Sequence, residues 1–477
     1  MFAYIETLMN ILAIILVSSG IITPTLDYTF KRRVSAYIVL FVIFIASIIS
    51  IALLYITYNV SNVLLYDGVI KVDFYGTFLA FLATIGTLLV LIASMYEVRR
   101  WSTAPSFYSL LPLTLLGVYY IIFLNDIILL FIAWTLVSVA SYALVGIKKD
   151  ENSLEGAAKY ALMGIIATTF LLYGLALIYG LTGSTKILDI IQYAKPLRNE
   201  PLLIIGIILL IISFSFKIGV VPFHGWLPDV YGGVHPSIIS FIAGVVKLVG
   251  IAALLRVIYP FAQIMGNAWL IIFSILSIST MTFGNIAALV QRNVQRMMAY
   301  SSIAHAGYIL LGFAAATGAG YLYGLQGIAL HISTYIFAKI GIFVTLAYLS
   351  RIGLKLDLEG LSGLSKKMPI TSVSLIILLL SLIGVPPLLG FWSKFPYLFL
   401  STIDIAPWLT LIAIINSGIS VGYYVQVIKS VFFLSSKAEG VERVKDPELI
   451  VIIITTIVTI ILGLGIAPFI ASTLTYK

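Results

Sequence analysis

Apolar stretches long enough to cross a bilayer fill this chain almost end to end, which leaves few folds open to it. They fall at 3–23, 34–57, 74–95, 106–124, 126–147, 156–181, 201–222, 236–258, 267–289, 298–318, 321–349, 370–400, 407–433 and 449–473. About twenty apolar residues span the hydrocarbon core as a helix. Inside lipid each backbone amide must bond within its own segment or a closed barrel. The reading is therefore an all-α polytopic membrane protein of about fourteen transmembrane helices. With 61% hydrophobic and only 10% charged residues, a soluble domain is excluded. The N-terminus lacks a basic region ahead of its first apolar run, so no cleavable signal is expected.

The charges test the count. Alternate loops carry Lys31, Arg32 and Arg33, then Arg99 and Arg100, then Lys148, Lys149 and Lys159. The series continues with Arg292 and Arg296, then Arg351, Lys355, Lys366 and Lys367, then Lys429, Lys437, Arg443 and Lys445. The other face holds only Lys71, Lys186, Lys195, Arg198, Arg256 and Lys477. Positively charged loops stay inside, so both termini are expected on the outer face of a cell membrane. The net charge of +9 is thus topological, and no nucleic-acid partner is expected.

Four lysines escape this pattern. Lys217, Lys247, Lys339 and Lys394 lie in the seventh, eighth, eleventh and twelfth apolar runs. A lysine at a helix centre in lipid costs about 2.5–3.5 kcal/mol unless it faces protein, water or a partner. Shedding its proton relieves that cost, so such a lysine can give up and regain one. In helix eight Ser240, Gly244 and Lys247 share a face, and in helix eleven so do His331, Tyr335 and Lys339. His305 lies near the start of helix ten. Lysines with histidines between them make a proton relay. The bland alternatives are that Lys394 snorkels to the interface, that His305 and His331 are packing residues, and that His224 and His235 are ordinary loop residues.

Two of these lysines flank interrupted helices. Ile218-Gly219-Val220-Val221-Pro222 in helix seven recurs as Ile383-Gly384-Val385-Pro386-Pro387 in helix twelve. An odd offset of helices puts the two matches in opposite orientations, the pattern of an inverted repeat with an ion path at its breaks. Broken backbone at membrane depth survives only inside protein or beside water. The chain has no cysteine, which excludes disulfides, iron–sulfur clusters and zinc–thiolate sites on it, and its four histidines make no obvious haem or metal cage.

The residues then become familiar. VPFHGWLPDVY (221–231) followed by HPSIISFIAGVVKLVG (235–250) resembles the antiporter-like membrane subunits of respiratory complex I, of subunit N type. QRNVQRMMAYSSIAHAGYILLG (291–312), DLEGLSGLSKKMP (357–369) and LIGVPPLLGFWSKFPYL (382–398) resemble the same family, and NSLEGAAKYALMG (152–164) and Asn125-Asp126 fit it too. Relatives occur in membrane-bound hydrogenases, sulfur reductases and multisubunit cation/proton antiporters. The resemblance implies helices 1–3 at 1–105, two inverted five-helix repeats at 106–258 and 267–433, and a last helix at 449–473. It implies a proton path, or a sodium path, through Lys217, Lys247 and Lys394, with His305 and His331 where polar relay residues belong. It further implies neighbouring antiporter-like and small hydrophobic subunits. Iron–sulfur clusters and a quinone or other acceptor would sit on redox subunits of a peripheral arm, and this chain would hold no active site of its own. Two departures stand out. The family's helix-five glutamate, partner of the helix-seven lysine, falls at Thr135, and Lys339 is more like the hydrogenase and antiporter relatives. The alternatives are a subunit of one of those complexes, or a structural subunit that has lost pumping with its acid.

Overall fold

The computed structural model describes residues 2–30, 34–60, 62–435 and 446–474. Lys31, Arg32, Arg33, Lys437, Arg443, Lys445 and Lys477, used above for topology, lie outside the described residues. In chain order the spans are α1 (Phe2–Phe30), α2 (Ser35–Tyr58), α3 (Phe74–Ser94), α4 (Ala104–Phe123), α5 (Ile127–Val145), α6 (Glu151–Thr182) and α7 (Pro201–Ile218). They continue with α8 (Pro236–Met265), α9 (Asn267–Leu289), α10 (Val294–Ala314), α11 (Tyr321–Arg351), α12 (Pro369–Ile383), α13 (Pro407–Phe433) and α14 (Pro447–Thr473). Among the described residues 13 helices are long and apolar enough to cross alone. The shorter α12 is completed by a second piece that starts at Leu389–Trp392. The expected fourteen spans are therefore present.

Burial sorts them into two layers. α8 and α11 are enclosed along their apolar lengths and α10 nearly so, whereas α1, α2, α6, α9, α13 and α14 turn most of their surface outward. The outward faces are aliphatic and aromatic, as with Leu162, Ile165, Ile166 and Tyr173 on α6. Such a surface suits lipid tails or a membrane partner, not water. Hydropathy does not reveal this layering, since the enclosed α8 has a mean hydropathy of 2.5 and the outer α6 one of 2.2.

Both broken helices stop earlier than the apolar pattern indicates. α7 ends at Ile218, not 222, and α12 ends at Ile383 within the expected run of 370–400. The cause is the same in each. Gly219 and Gly384 take left-handed φ of 79° and 98°, a region glycine enters without a Cβ clash. After each glycine the chain bonds back in one pattern: Val220 N–H to Ser215 O at 2.9 Å, and Val385 N–H to Leu380 O at 3.1 Å. Cis peptides follow at Val221-Pro222 and Pro386-Pro387, at matching places. The chain then resumes as a short helix at Trp226–Gly233, and as a π turn at Ser393–Phe399.

Two features were not expected. A hairpin, β1 (Val63–Leu65) with β2 (Ile70–Val72), interrupts the all-helical pattern between α2 and α3. It is stitched to the α4–α5 connection by Asn125, whose N–H bonds Val69 O at 2.8 Å and whose side chain bonds Gly68 O at 2.7 Å. Asp126 beside it caps α5 through the N–H of Ile128 at 2.8 Å and accepts from Thr185 at 2.7 Å, so it is committed to structure. The second feature corrects the charge map. Arg256, counted above as a charge of the outer face, lies buried inside α8. Its guanidinium holds Asp73, the N-cap of α3, in a two-pronged ion pair. Burial pushes the Asp73 carboxyl up, but the Arg256 charge and hydrogen bonds, with the Gly76 N–H, bring it below its ordinary value.

Candidate ion path through the inner helices

The path is built on α8, α10 and α11, the enclosed helices, with contributions from the outer α13 and from the second piece of α12. Lys247 is aimed by a local irregularity. Ile242–Val246 forms a π turn, and Lys247 N–H bonds Ile242 O, five residues back, at 3.2 Å. Such turns shift every later side chain around the axis and recur at functional sites. The Lys247 ammonium donates to Ser302 O at 2.5 Å and lies 3.5 Å from the Tyr335 hydroxyl and 5.0 Å from the Tyr335 ring centre. The ammonium of Lys339 lies 5.8 Å from the centre of the same ring. Two amines thus share one aromatic partner.

From Lys339 a continuous run of hydrogen bonds leads away. Lys339 donates to Met298 O at 3.0 Å and to Ser301 Oγ at 2.8 Å. Ser301 Oγ meets Tyr424 OH of α13 at 2.6 Å, and Tyr424 OH meets His305 Nε2 at 3.1 Å. His305 Nδ1 meets His331 Nε2 at 2.9 Å, and His331 Nδ1 meets Ser393 Oγ at 3.0 Å. All these side chains are buried. Hydroxyls and imidazoles can each accept one proton and donate another, so reversing the polarity of every link moves a proton without moving a heavy atom far. Only one proton fits between the two imidazoles, so their tautomers are coupled.

The run stops at Ser393, and its neighbour in the chain, Lys394, bonds elsewhere. Lys394 follows Ser393 in the π turn and donates to Ile383 O at 3.2 Å and Ser417 Oγ at 3.3 Å. Its ammonium also lies 4.4 Å from the centre of the Tyr308 ring. Ile383 supplies the last carbonyl of the broken α12, so Lys394 sits against a helix C-terminus, where a cation is favoured. It is fully buried, which excludes the snorkelling alternative. His305 and His331 are each hydrogen-bonded at both ring nitrogens, an arrangement open both to a relay and to a hydrogen-bonded packing role.

Lys217 stands apart from this run, in the last turn of α7 before its break. It donates to Ser138 and Ser141 of α5, each at 3.3 Å. Its ammonium faces the rings of Tyr160, Tyr142 and Trp134 at 5.1, 5.4 and 5.9 Å. Two hydroxyls and three π-faces occupy the surroundings of this lysine. Thr135 one turn away is no substitute for an acid: its hydroxyl is buried with no hydrogen-bond partner.

Sequence reasoning singled out the four lysines, His305, His331 and Tyr335, and did not single out their neighbours Ser138, Ser141, Ser301, Tyr308, Ser393 and Tyr424. Ser301 and His305 are one helical turn apart, a signal that was readable. Tyr424 lies on a helix without a charge near it and has no comparable signal.

The family model described as NADH:quinone oxidoreductase/Mrp antiporter, TM, matches residues 125–420. The chain is 35% identical to the NADH-quinone oxidoreductase subunit N of Desulforamulus reducens, over 85% of this chain and 84% of that one. It is 36% identical to the F(420)H(2) dehydrogenase subunit N of Methanosarcina mazei, over 82% and 80%. Its fold superposes on a chain of respiratory complex I from Thermus thermophilus with a TM-score of 0.79 and 27% identity, covering 96% of this chain and 98% of that chain.

Proposed function

The chain belongs to the NADH:quinone oxidoreductase/Mrp antiporter transmembrane family, and we propose that it is the antiporter-like, proton-translocating subunit of a redox-driven membrane complex. The observation that carries this is the unbroken run from Lys339 through Ser301, Tyr424, His305 and His331 to Ser393, beside Lys394. Amines, imidazoles and hydroxyls pass protons, whereas a bare cation needs a cage of oxygens, so the run supports protons over sodium. The matching breaks after Gly219 and Gly384 support the reading of two inverted repeats, α4 to α8 and α9 to α13. Electron transfer, with its iron–sulfur clusters and its quinone or other acceptor, belongs to partner subunits, and the outward apolar helices offer faces for antiporter-like and small hydrophobic neighbours. The complex sits in the plasma membrane with both termini of this chain outside.

A second reading, a structural subunit that no longer pumps, is favoured by one observation: Lys217 has hydroxyls and rings around it where the family has an acid.

The test of the main reading is purification of the native complex in mild detergent, with mass spectrometry of its chains. Partners rich in cysteine clusters are expected; a set of small hydrophobic chains alone would make this a stand-alone cation/proton antiporter. Tyr424→Phe tests the run itself. It deletes one hydroxyl that links Ser301 to His305 and keeps the ring. Proton translocation by inverted membrane vesicles is expected to fall by about a hundredfold, the low end of what a positioned proton-transfer group contributes. Unchanged translocation would route the proton elsewhere.

A further inference from the structure

Helix α8 carries a second titratable group at its other end, outside the run described above. His235 is its N-cap. The ring accepts the Ser237 N–H at Nδ1, at 3.3 Å, and its Nε2 lies 2.8 Å from Glu97 Oε1. The imidazole is buried, and the edge of Trp101 packs on it with 5.2 Å between ring centres. The other oxygen of Glu97 is buried and has no hydrogen-bond partner among the described residues. A cavity of about 490 Å³ at the charged loops has His235 in its lining. The residue thus lines the cavity and its ring bonds the carboxylate.

The hydrogen bonds fix the resting protonation. An Nδ1 that accepts carries no proton, so Nε2 bears the hydrogen and donates it to Glu97: the imidazole is neutral and the carboxylate charged. We infer that His235 and Glu97 form the proton-loading site of this subunit, and that loading at Nδ1 releases the N-cap of the helix that carries Lys247. A proton arriving from the cavity has two places to go, the Nδ1 lone pair and Glu97 Oε2. At Nδ1 it displaces the Ser237 N–H and leaves an imidazolium held by Glu97. Passing the Nε2 proton on to Glu97 then gives a neutral acid and an imidazole whose hydrogen sits on Nδ1, so the cap stays released until Nδ1 gives up its proton. Lys247 lies twelve residues on, about 18 Å along the helix at 1.5 Å per residue, so the first turn and the amine share one rod. The charged groups facing the pair are Lys148, Asp150 and Glu151 on the cavity wall and, beyond Glu97, Arg351 with Asp446 and Glu448.

This inference rests on the proton-translocating reading, and the experiment separates the two. His235→Asn keeps a cap, because asparagine accepts the same N–H, but it cannot titrate; Glu97→Gln keeps the shape and removes the acid. Both are made in the whole complex and assayed in inverted vesicles energised with NADH or F420H2, alongside Lys247→Met. Loss of translocation by about a hundredfold in both variants, with donor oxidation retained, is expected. Normal translocation in His235→Asn overturns the inference and leaves only a structural cap. If Lys247→Met is normal as well, the translocation reading itself fails. If neither variant assembles, hydrogen–deuterium exchange of the wild-type complex decides. The Ser237 amide is expected to lose protection as the medium is taken from mildly alkaline to mildly acidic, because a proton at Nδ1 displaces its N–H. Protection that does not change on that acidification, after correction for intrinsic exchange, overturns it.

Discussion

Methionine in place of Lys247 is expected to leave the complex assembled and oxidising its donor while proton translocation falls by about tenfold or more. The geometry separates the two effects. The Lys247 side chain is enclosed among α8, α10 and α11, and its ammonium is held by one backbone carbonyl and by the Tyr335 hydroxyl and ring. Methionine fills the same volume, and replacing a buried charge by an apolar side chain of similar size is often neutral or stabilising. The carbonyl of Ser302 lies inside a helix and keeps a backbone partner. What disappears is the one amine that α8 offers to this region, which shares the Tyr335 ring with Lys339. A scaffold that does not pump would not register that loss. Vesicle acidification measured beside donor oxidation is therefore decisive: unaltered acidification per donor oxidised would remove Lys247 from any relay and favour the structural reading.

The lysines were legible because a charge in an apolar run is conspicuous and expensive, so the chain must bury or employ it. The spans were legible for the complementary reason: lipid allows one local solution to backbone hydrogen bonding, and only its ends were misplaced, as where Gly219 stops α7. The links between the lysines were hidden. His305 and His331 lie on different helices, and their 2.9 Å contact depends on how α10 and α11 cross. Tyr424 joins Ser301 to His305 from a third helix. The π turn before Lys247 has no residue signature, whereas the one around Lys394 contains Pro396, which lacks the N–H of a regular helix. Arg256 shows the opposite error. Near the end of a span it looked like one more loop charge, and its partner Asp73 is 183 positions away in the chain.

That pair carries the largest expected effect on stability. Arg256→Met leaves Asp73 buried without its guanidinium, and breaking a buried ion pair from one side costs about 3–5 kcal/mol. Arg256 Nη2 lies 2.8 Å from Asp73 Oδ1, Nη1 bonds the other oxygen, and Nε donates to Ile122 O at 2.6 Å, so the guanidinium ties α8 to the starts of α3 and the end of α4 at once. Lysine cannot reproduce this fork. The companion Asp73→Asn should restore much of the loss in the double variant, since the uncompensated charge is then gone. The effect has a definite pH sign. In the wild type the Asp73 carboxyl is held below its ordinary value, burial opposing and Arg256 prevailing. The pair therefore contributes its full stability above the unfolded carboxyl value of about 4 and loses it as pH falls through the folded value. Without Arg256 burial dominates, the folded carboxyl rises above its unfolded value, and the variant is penalised increasingly as pH climbs past about 4. The gap in thermal midpoint between wild type and Arg256→Met, measured on the purified complex, should be widest near neutral pH and close toward the acid limit. A gap that stayed constant with pH would mean that Arg256 acts through packing and its bond to Ile122, with Asp73 already protonated beside it.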